Sequence, residues 1–322
     1  MRRVIGAILV VVCLGVLVHD VGSRWMSVLR RCCGMDEAFR KAIAWGDAAW
    51  AESLLVQGVD VGLRLEQHEY PYPLMFLYRD ATPLHFAAQY GHTDSMKHLI
   101  ANGGDVNARD AHAQAPLHSA VCLARPRDDM MDKARILVAV GADLNPANDN
   151  GEMPLHNALW HRPTAEFLIA QGADVNAVEN RDGQTPLHIA CWSHPGGGTD
   201  GEALVENLIQ RGANINARDK AGRTPLHHAT SSDARSIIPL LIRHGADVTA
   251  RDNAGETPLH GATGIHGNLR IIRLLIRHGA DVNARTANGH TPADFSADKA
   301  ALDLLREHGG KKKSELDKEA PK

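Results

Sequence analysis

The stretch Gly245-Ala-Asp-Val-Thr-Ala-Arg-Asp-Asn-Ala-Gly-Glu-Thr-Pro-Leu-His260 contains the two landmarks that decide the fold. Its last four residues, Thr-Pro-Leu-His, occur with small changes at six places, and its opening glycine motif recurs in the same register. A degenerate seventh tetrapeptide, Thr-Pro-Ala-Asp, follows. The seven copies begin at Thr82, Ala115, Met153, Thr185, Thr224, Thr257 and Thr291. Their base period of about 33 residues indicates a chain built from structural repeats.

Each repeat is predicted to begin with a helix at the tetrapeptide. Threonine is a favourable N-cap, and proline suits the first helical position because its missing N–H would have no partner there. Ala115 and Met153 replace the threonine, which predicts helix starts weaker by roughly 1 kcal/mol each. A small residue stands five positions after each start, where close packing of successive helices requires it: Ala87, Ala120, Ala158, Ala190, Ala229 and Ala262.

A second helix is predicted in the apolar run before each glycine landmark, for example at residues 237–242 and 271–276. Glycine can adopt the left-handed conformation that ends such a helix. The polar stretch that follows, such as residues 216–223, is rich in turn formers and long enough for a projecting finger. Ala113 stands where the other fingers carry glycine.

These features resemble the ankyrin-repeat family. The resemblance implies an all-α repeat solenoid, an ankyrin-repeat stack of helix-turn-helix units with β-turn fingers, which binds partner proteins on its concave face. It covers residues 35–310 in about eight units, whose motif positions lie near residues 37, 82, 115, 153, 185, 224, 257 and 291. It also implies that the motif histidines are structural, bonding locally and to neighbouring repeats.

Composition excludes several classes of protein. With 44% hydrophobic and 23% charged residues, the 322-residue chain is neither broadly disordered nor a polytopic membrane protein. A net charge of -3 lacks the basic excess of a protein that coats nucleic acid. Aromatic residues make up only 4%, so the core must be built from Leu, Ile, Val and Ala. The five cysteines form neither a disulfide scaffold nor a zinc-spaced pair.

The two ends of the chain differ from the repeats. Within residues 1–34, the uncharged run 4–18 would form a helix of roughly 22 Å, shorter than the ~30 Å hydrocarbon core. It fits a signal peptide cleaved after Ser23, an uncleaved membrane anchor, or a buried segment. We therefore expect membrane association through this segment, or export after its removal, on an undetermined side of the membrane. Residues 311–322 are predicted to be a charged flexible tail.

Catalysis is not expected. The 19 histidines are mostly accounted for by the repeat motifs, and no metal, cofactor or small-molecule substrate is indicated. The stretch around Cys191 and His194 is the one place where an enzyme could hold a thiol beside an imidazole. The alternative is that Cys191 is a buried small residue followed by a loop.

Aromatic residues mark the predicted partner-binding surface. Trp160 and Trp192 stand seven residues after their tetrapeptide starts, with Tyr90 and Trp45 close to the matching place in earlier repeats. An insertion of about 12 residues near 67–79 lengthens one finger and carries Tyr70, Tyr72, Phe76 and Tyr78. Exposed rings are common in binding hot spots, but these rings could instead pack between repeats. Nucleic-acid association through Arg109, Arg218 and Arg251 is a further alternative, which the aspartate after each arginine disfavours.

Overall fold

The computed structural model describes residues 38–39, 48–56, 59–64, 80–89, 93–122, 129–193, 199–264 and 268–319. The chain divides into two compact parts, Met1–Asp105 and Val106–Lys322. Over the described ranges the secondary structure consists of helices and turns, without strands. No helix in these ranges is both long and apolar enough to span a bilayer. The predicted signal or anchor, residues 4–18, lies outside them.

The helices alternate between the two kinds that the repeat pattern predicts. In the N-terminal part they are α1 (Ala48–Val56), α2 (Pro83–Gln89) and α3 (Thr93–Ala101). In the C-terminal part they are α4 (Pro116–Ala120), α5 (Met130–Ala139), α6 (Pro154–Ala158), α7 (Arg162–Gln171), α8 (Pro186–Ser193), α9 (Thr199–Gln210), α10 (Pro225–Ser231), α11 (Ile237–Arg243), α12 (Pro258–Thr263), α13 (Leu269–Arg277), α14 (Pro292–Phe295), α15 (Lys299–Glu307) and α16 (Lys313–Glu319).

The first helices begin where they were predicted and pack in order. All seven start at the proline of the tetrapeptide. In the C-terminal part α4, α6, α8, α10, α12 and α14 each contact the next in the series. The alanines five residues into each motif are 0–5% exposed, as expected at a position where helices pack closely. Apolar residues of the second helices, such as Ile238 and Leu275, complete the core of the C-terminal part, where no described aromatic residue is fully buried. The N-terminal part differs from the expectation of a core without rings, because Phe39, Trp50 and Phe86 are buried there.

The histidine of each tetrapeptide caps the first helix. In all six full copies its Nδ1 lies 3.0–3.2 Å from the backbone nitrogen of the first motif residue. A backbone N–H can only donate, so Nδ1 accepts and the ring proton is on Nε2. In His118, His188 and His227, Nε2–H then donates to a finger carbonyl of the following repeat at 3.0–3.2 Å. The neutral imidazole thus joins two repeats.

The threonine has a smaller part in this cap than the sequence suggested. Its side chain makes no capping bond to the helix at Thr224 or Thr257; its hydroxyl lies 2.9 Å from the histidine Nδ1 instead. The helices after Ala115 and Met153 keep the same histidine cap. Those two starts therefore lack a contact between hydroxyl and imidazole, rather than the cap itself.

An acceptor side chain at the base of each finger holds its turn. Oδ1 of Asp219 accepts hydrogen bonds from two backbone N–H groups further along the finger, at 2.9 Å each. The finger at 179–184 is one residue longer, and there Glu179 reaches the equivalent N–H groups with its extra methylene. At the tip of another finger, Ala113 takes the left-handed conformation usually given to glycine, with φ of 55°.

Asparagine side chains connect successive repeats. Nδ2 of Asn216 donates to the carbonyl of Gly245 at 3.3 Å, while its Oδ1 accepts from the N–H of Asp247 at 2.9 Å. Asn107 and Asn176 bridge to their following repeats in the same way. Thr249 replaces the asparagine in one repeat, and its hydroxyl bonds to Asp247 within that repeat.

The C-terminal segment forms a helix, where a charged flexible tail was predicted. Helix α16 takes the place of a further repeat at the last finger. Nζ of Lys313 donates a hydrogen bond to the carbonyl of Asn288 at 2.7 Å. In earlier fingers, the carbonyl at this position accepts a backbone N–H from the tip of the following finger. Asn283 binds the backbone of Gly309 and Lys311 as other asparagines bind the following repeat. These long-range bonds, which composition does not reveal, order the segment.

Candidate tryptophan site

Two tryptophans form an exposed pair at the ends of neighbouring first helices. Trp160 follows the end of α6, and Trp192 lies near the end of α8, seven residues after their respective motif starts. Their ring centroids are 5.6 Å apart and their planes meet at 82°, an edge-to-face contact. The residues remain 42% and 41% exposed. The two rings therefore contact each other across two repeats and also remain partly exposed to solvent, so features of both alternatives, packing between repeats and a binding surface, are present.

A polar side chain contacts the pair directly, and a charged cluster begins two residues after Trp160. Nε1–H of Trp192 donates to Oε1 of Gln184, at the base of the preceding finger, at 3.4 Å. Two residues after Trp160, Arg162 bonds to Glu166 at 2.8 Å and to Asp200 on α9 at 2.6 Å. These hydrogen bonds raise the pKa of the Arg162 guanidinium, which remains charged. The three charged groups together sum to a single negative charge.

The other predicted binding residues fall outside the described ranges, as does the finger insertion near 67–79. They are Trp45, Tyr70, Tyr72, Phe76, Tyr78 and Tyr90. The two remaining large apolar residues found exposed are Val140 and Val178, at 45% and 55%. Val178 stands in a finger position that arginine fills in several other repeats. It therefore offers a control position, an exposed apolar side chain on a finger rather than at the end of a first helix.

The thiol considered for catalysis is buried. Cys191 is 0% exposed, and burial raises its pKa far above that of a free cysteine. A thiol of this kind holds its proton at neutral pH and is a poor nucleophile. His194 lies outside the described residues. Cys191 therefore behaves as the small core residue that the alternative interpretation predicted.

The finger arginines make structural hydrogen bonds. NH1 of Arg218 donates to the carbonyl of Gly222 in its own finger and to that of Arg251 in the next, at 3.0 and 2.6 Å. Arg109 and Arg251 make the same two kinds of bond. Because these donors connect finger backbones, fewer remain for phosphate groups, which weakens the nucleic-acid alternative.

Sequence reasoning missed a buried polar cluster between two repeats. Nε2 of His228 bonds to Oδ2 of Asp219 at 2.8 Å, Arg223 bonds to the same oxygen at 3.0 Å, and the ring of His188 packs edge-on against His228. Burial acts to raise the pKa of Asp219, but the bonds from His228 and Arg223 outweigh it and hold that pKa low. The cluster holds a finger against a first helix.

Nowhere in the described ranges do three His, Cys, Asp or Glu residues converge to hold a metal ion.

Comparison with known proteins agrees with this architecture. Family models described as ankyrin repeats match residues 77–120, 123–219, 179–252 and 196–286, which together make up more than half of the chain. The chain belongs to the ankyrin-repeat family. The ankyrin repeat domain of Bcl-3, described as a unique member of the IkappaB protein family, is similar in structure, with a TM-score of 0.56 and 32% identity over 70% of this chain and 98% of that one.

Curated ankyrin proteins match over shorter segments. An ankyrin repeat-containing protein of Schizosaccharomyces pombe is 50% identical over 36 residues, and an ankyrin repeat protein of Rickettsia bellii is 52% identical over 40 residues. These segments cover 11% and 12% of this chain and 17% of each relative's length. They support the repeat assignment and leave the partner of this ankyrin protein to be argued from its own surface.

Proposed function

We propose that this ankyrin protein is a non-catalytic scaffold whose protein partner docks on the face of the first helices around Trp160 and Trp192. The observation that carries the proposal is the pair itself: two large rings, each about two fifths exposed, placed in the same register of successive repeats. Exposed tryptophans that are held in place lose little conformational entropy on binding and are enriched among interface hot spots. Repeat stacks commonly use such extended faces for binding.

The experiment compares partner capture by three forms of the full chain. Trp160→Ala with Trp192→Ala removes both rings, whereas Val178→Ala truncates a somewhat more exposed apolar residue on a finger. Proteins captured from a cell extract are quantified by mass spectrometry, and helical content is measured by circular dichroism. We expect a set of proteins that binds the wild type and the Val178 variant and is lost from the double variant at unchanged helicity.

Two results would contradict the proposal. If all three forms capture the same proteins to the same extent, the tryptophan pair is not the docking site. If the double variant instead loses helical structure, the rings serve the stability of the repeat stack.

We also propose that residues 4–18 act as a membrane anchor or as a cleaved export signal. The support is compositional: an uncharged apolar run preceded by Arg2 and Arg3. Mass spectrometry of the mature N-terminus separates the two forms, because a cleaved signal removes the run and an anchor retains it. Fractionation with protease protection reports the side of the membrane. An intact N-terminus on a protein recovered entirely in the soluble fraction would refute both forms.

A further inference from the structure

Three kinds of hydrogen bond join neighbouring repeats in the C-terminal part. Between the repeats that begin with α4 and α6, Arg109 and His118 each donate to a carbonyl of the next finger, and Asn107 bonds to the next glycine landmark. From α8 to α15, each junction in the described ranges keeps at least two of the three kinds. The junction between the repeat of α6 and α7 and the repeat of α8 and α9, here called the central junction, differs.

The central junction lacks the arginine bond and the histidine bond. Ala147 stands where most fingers have arginine, and its methyl group cannot donate. His156 is 4% exposed, and its Nε2 has no hydrogen-bond partner in residues 129–193, which the structure describes without a gap. The finger that this histidine faces, residues 179–184, is the one with an extra residue. A buried donor left without a partner makes an interface less stable.

The asparagine bridge of the central junction is reduced as well. Oδ1 of Asn145 accepts from the N–H of Asp174 at 2.8 Å, but the contacts of the described residues do not include the companion bond from its own Nδ2. At the finger tips, the N–H of Asn180 donates to the carbonyl of Asn150 at 2.6 Å, as in the other junctions. Two backbone N–H groups therefore carry the hydrogen bonding between the landmarks and fingers of these two repeats.

Side chains beside the helices replace part of what is missing. Helix α7 packs against α9, and the rings of Trp160 and Trp192 meet edge-to-face across the same junction. Such aromatic contacts stabilise beyond the area they bury. Arg162 also reaches Asp200 at 2.6 Å, but these side chains are 35% and 72% exposed, and exposed ion pairs contribute little.

We infer that the central junction is a hinge, which opens more readily than its neighbours and which the tryptophan pair holds closed. The stability of a repeat stack is approximately a sum of contributions within repeats and between neighbours, so the interface with the fewest bonds opens first. Opening separates the two rings, so the hinge regulates the site proposed for docking. In that respect the inference rests on the proposed function.

Amide hydrogen exchange of the full chain, resolved by nuclear magnetic resonance, reports on each junction separately. The N–H groups of Asn180 and Asp174 donate across the central junction. The matched N–H groups of other junctions are Asp149, Lys220 and Asn253 at the finger tips, and Asp143, Asn214 and Asp247 at the landmarks. We expect both central amides to be at least about tenfold less protected than their matched amides. Equal protection would overturn the inference, as would fast exchange at Asn180 alone, which would mean movement of one finger tip.

Variants then test the cause. Ala147→Arg supplies the missing arginine at an exposed finger position and should slow exchange of both central amides about tenfold. Val178→Arg, the matched control, places the same residue one junction later and should leave the central amides unchanged. Trp192→Ala should speed their exchange severalfold. Equal effects of the two arginine variants on the central amides, or unchanged exchange in Trp192→Ala, would overturn the inference.

The two proposals fail separately. If the central amides are as protected as their matched amides while the double tryptophan variant loses its protein partner, docking stands and the hinge is wrong. If the central amides exchange fast and respond to the variants as expected, but partner capture is unaffected by removing the rings, the hinge stands and the docking function is wrong.

Discussion

Acidification should destabilise this repeat stack through its motif histidines. His118 and His188 are fully buried, and burial lowers their pKa values from 6.5 to about 4. Their Nδ1 atoms accept backbone hydrogen bonds, so protonation would break the cap. Between these pH values the unfolded chain binds protons that the folded chain does not. The stabilisation is therefore complete above about pH 6.5 and falls as the pH is lowered toward 4.

The size of the effect follows from these two pKa values. For one histidine with pKa 6.5 unfolded and about 4 folded, linkage gives a loss of about 1.8 kcal/mol between pH 7 and pH 5. The two histidines together lose nearly 4 kcal/mol, on the order of half the stability of an ordinary domain. The pKa values of His156, His227, His228 and His260 are lowered in the same direction and add to the loss. Carboxylates with lowered pKa values, such as Asp219, contribute mainly at lower pH.

The assay is urea unfolding followed by circular dichroism at about pH 7, 6 and 5. The wild type should lose at least about 4 kcal/mol of unfolding free energy over this range, and His118→Asn should lose about 1.8 kcal/mol less because one titrating group is gone. Only the pH dependence is compared, since the variant also loses stability at neutral pH. Unchanged stability between pH 7 and 5, or an equal loss in the variant, would refute the proposed histidine tautomer.

Three further variants test other contacts. Thr249→Asn should restore the missing connection between repeats and raise the unfolding free energy by about 1 kcal/mol in urea titrations; a loss would mean that the asparagine bridge does not transfer. Gly222→Ala, at φ 76° with the new Cβ against Oδ1 of Asn253 and 3.0 Å from the backbone nitrogen of Asn253, should lower the melting temperature more than Gly245→Ala, at φ 92° with open space around it; equal losses would contradict the steric argument. Lys313→Ala should speed amide hydrogen exchange in α16 relative to Lys318→Ala, because it removes the hydrogen bond from Lys313 to the last finger; equal rates would show that this bond does not order α16.

The sequence predicts the fold well because its signals act locally. Proline at the first helical position and glycine at the end of the second helix each determine backbone geometry within a few residues, and they recur in one register. The histidine cap was also visible in principle: the histidine is present in all six full copies, while alanine or methionine replaces the threonine in two. Helix α16 was not predictable, because its order depends on bonds to Asn283 and Asn288, about 25 residues earlier.

The sequence predicted which residues form the candidate site, but it did not predict how their side chains are arranged. The shared register places Trp160 and Trp192 near the ends of adjacent first helices, and in the structure Trp160 lies two residues beyond α6 while Trp192 is within the last turn of α8. Neither the right angle between the rings nor the link from Trp192 to Gln184 follows from the register, because side-chain torsions depend on neighbours from other repeats.

Other repeats are built without tryptophan at the position of Trp160 and Trp192, and this supports the proposed binding role. The alanine five residues into each motif is buried in every described copy, so the stack depends on that position. Two residues further on, three other repeats hold Cys122, Ser231 and Gly264, and the first helices of these repeats also contact their neighbours. A chain with only 4% aromatic residues nevertheless has tryptophan at this position in two successive repeats. Under the proposed function, recognition of a partner gives a physical reason for two exposed rings at these positions.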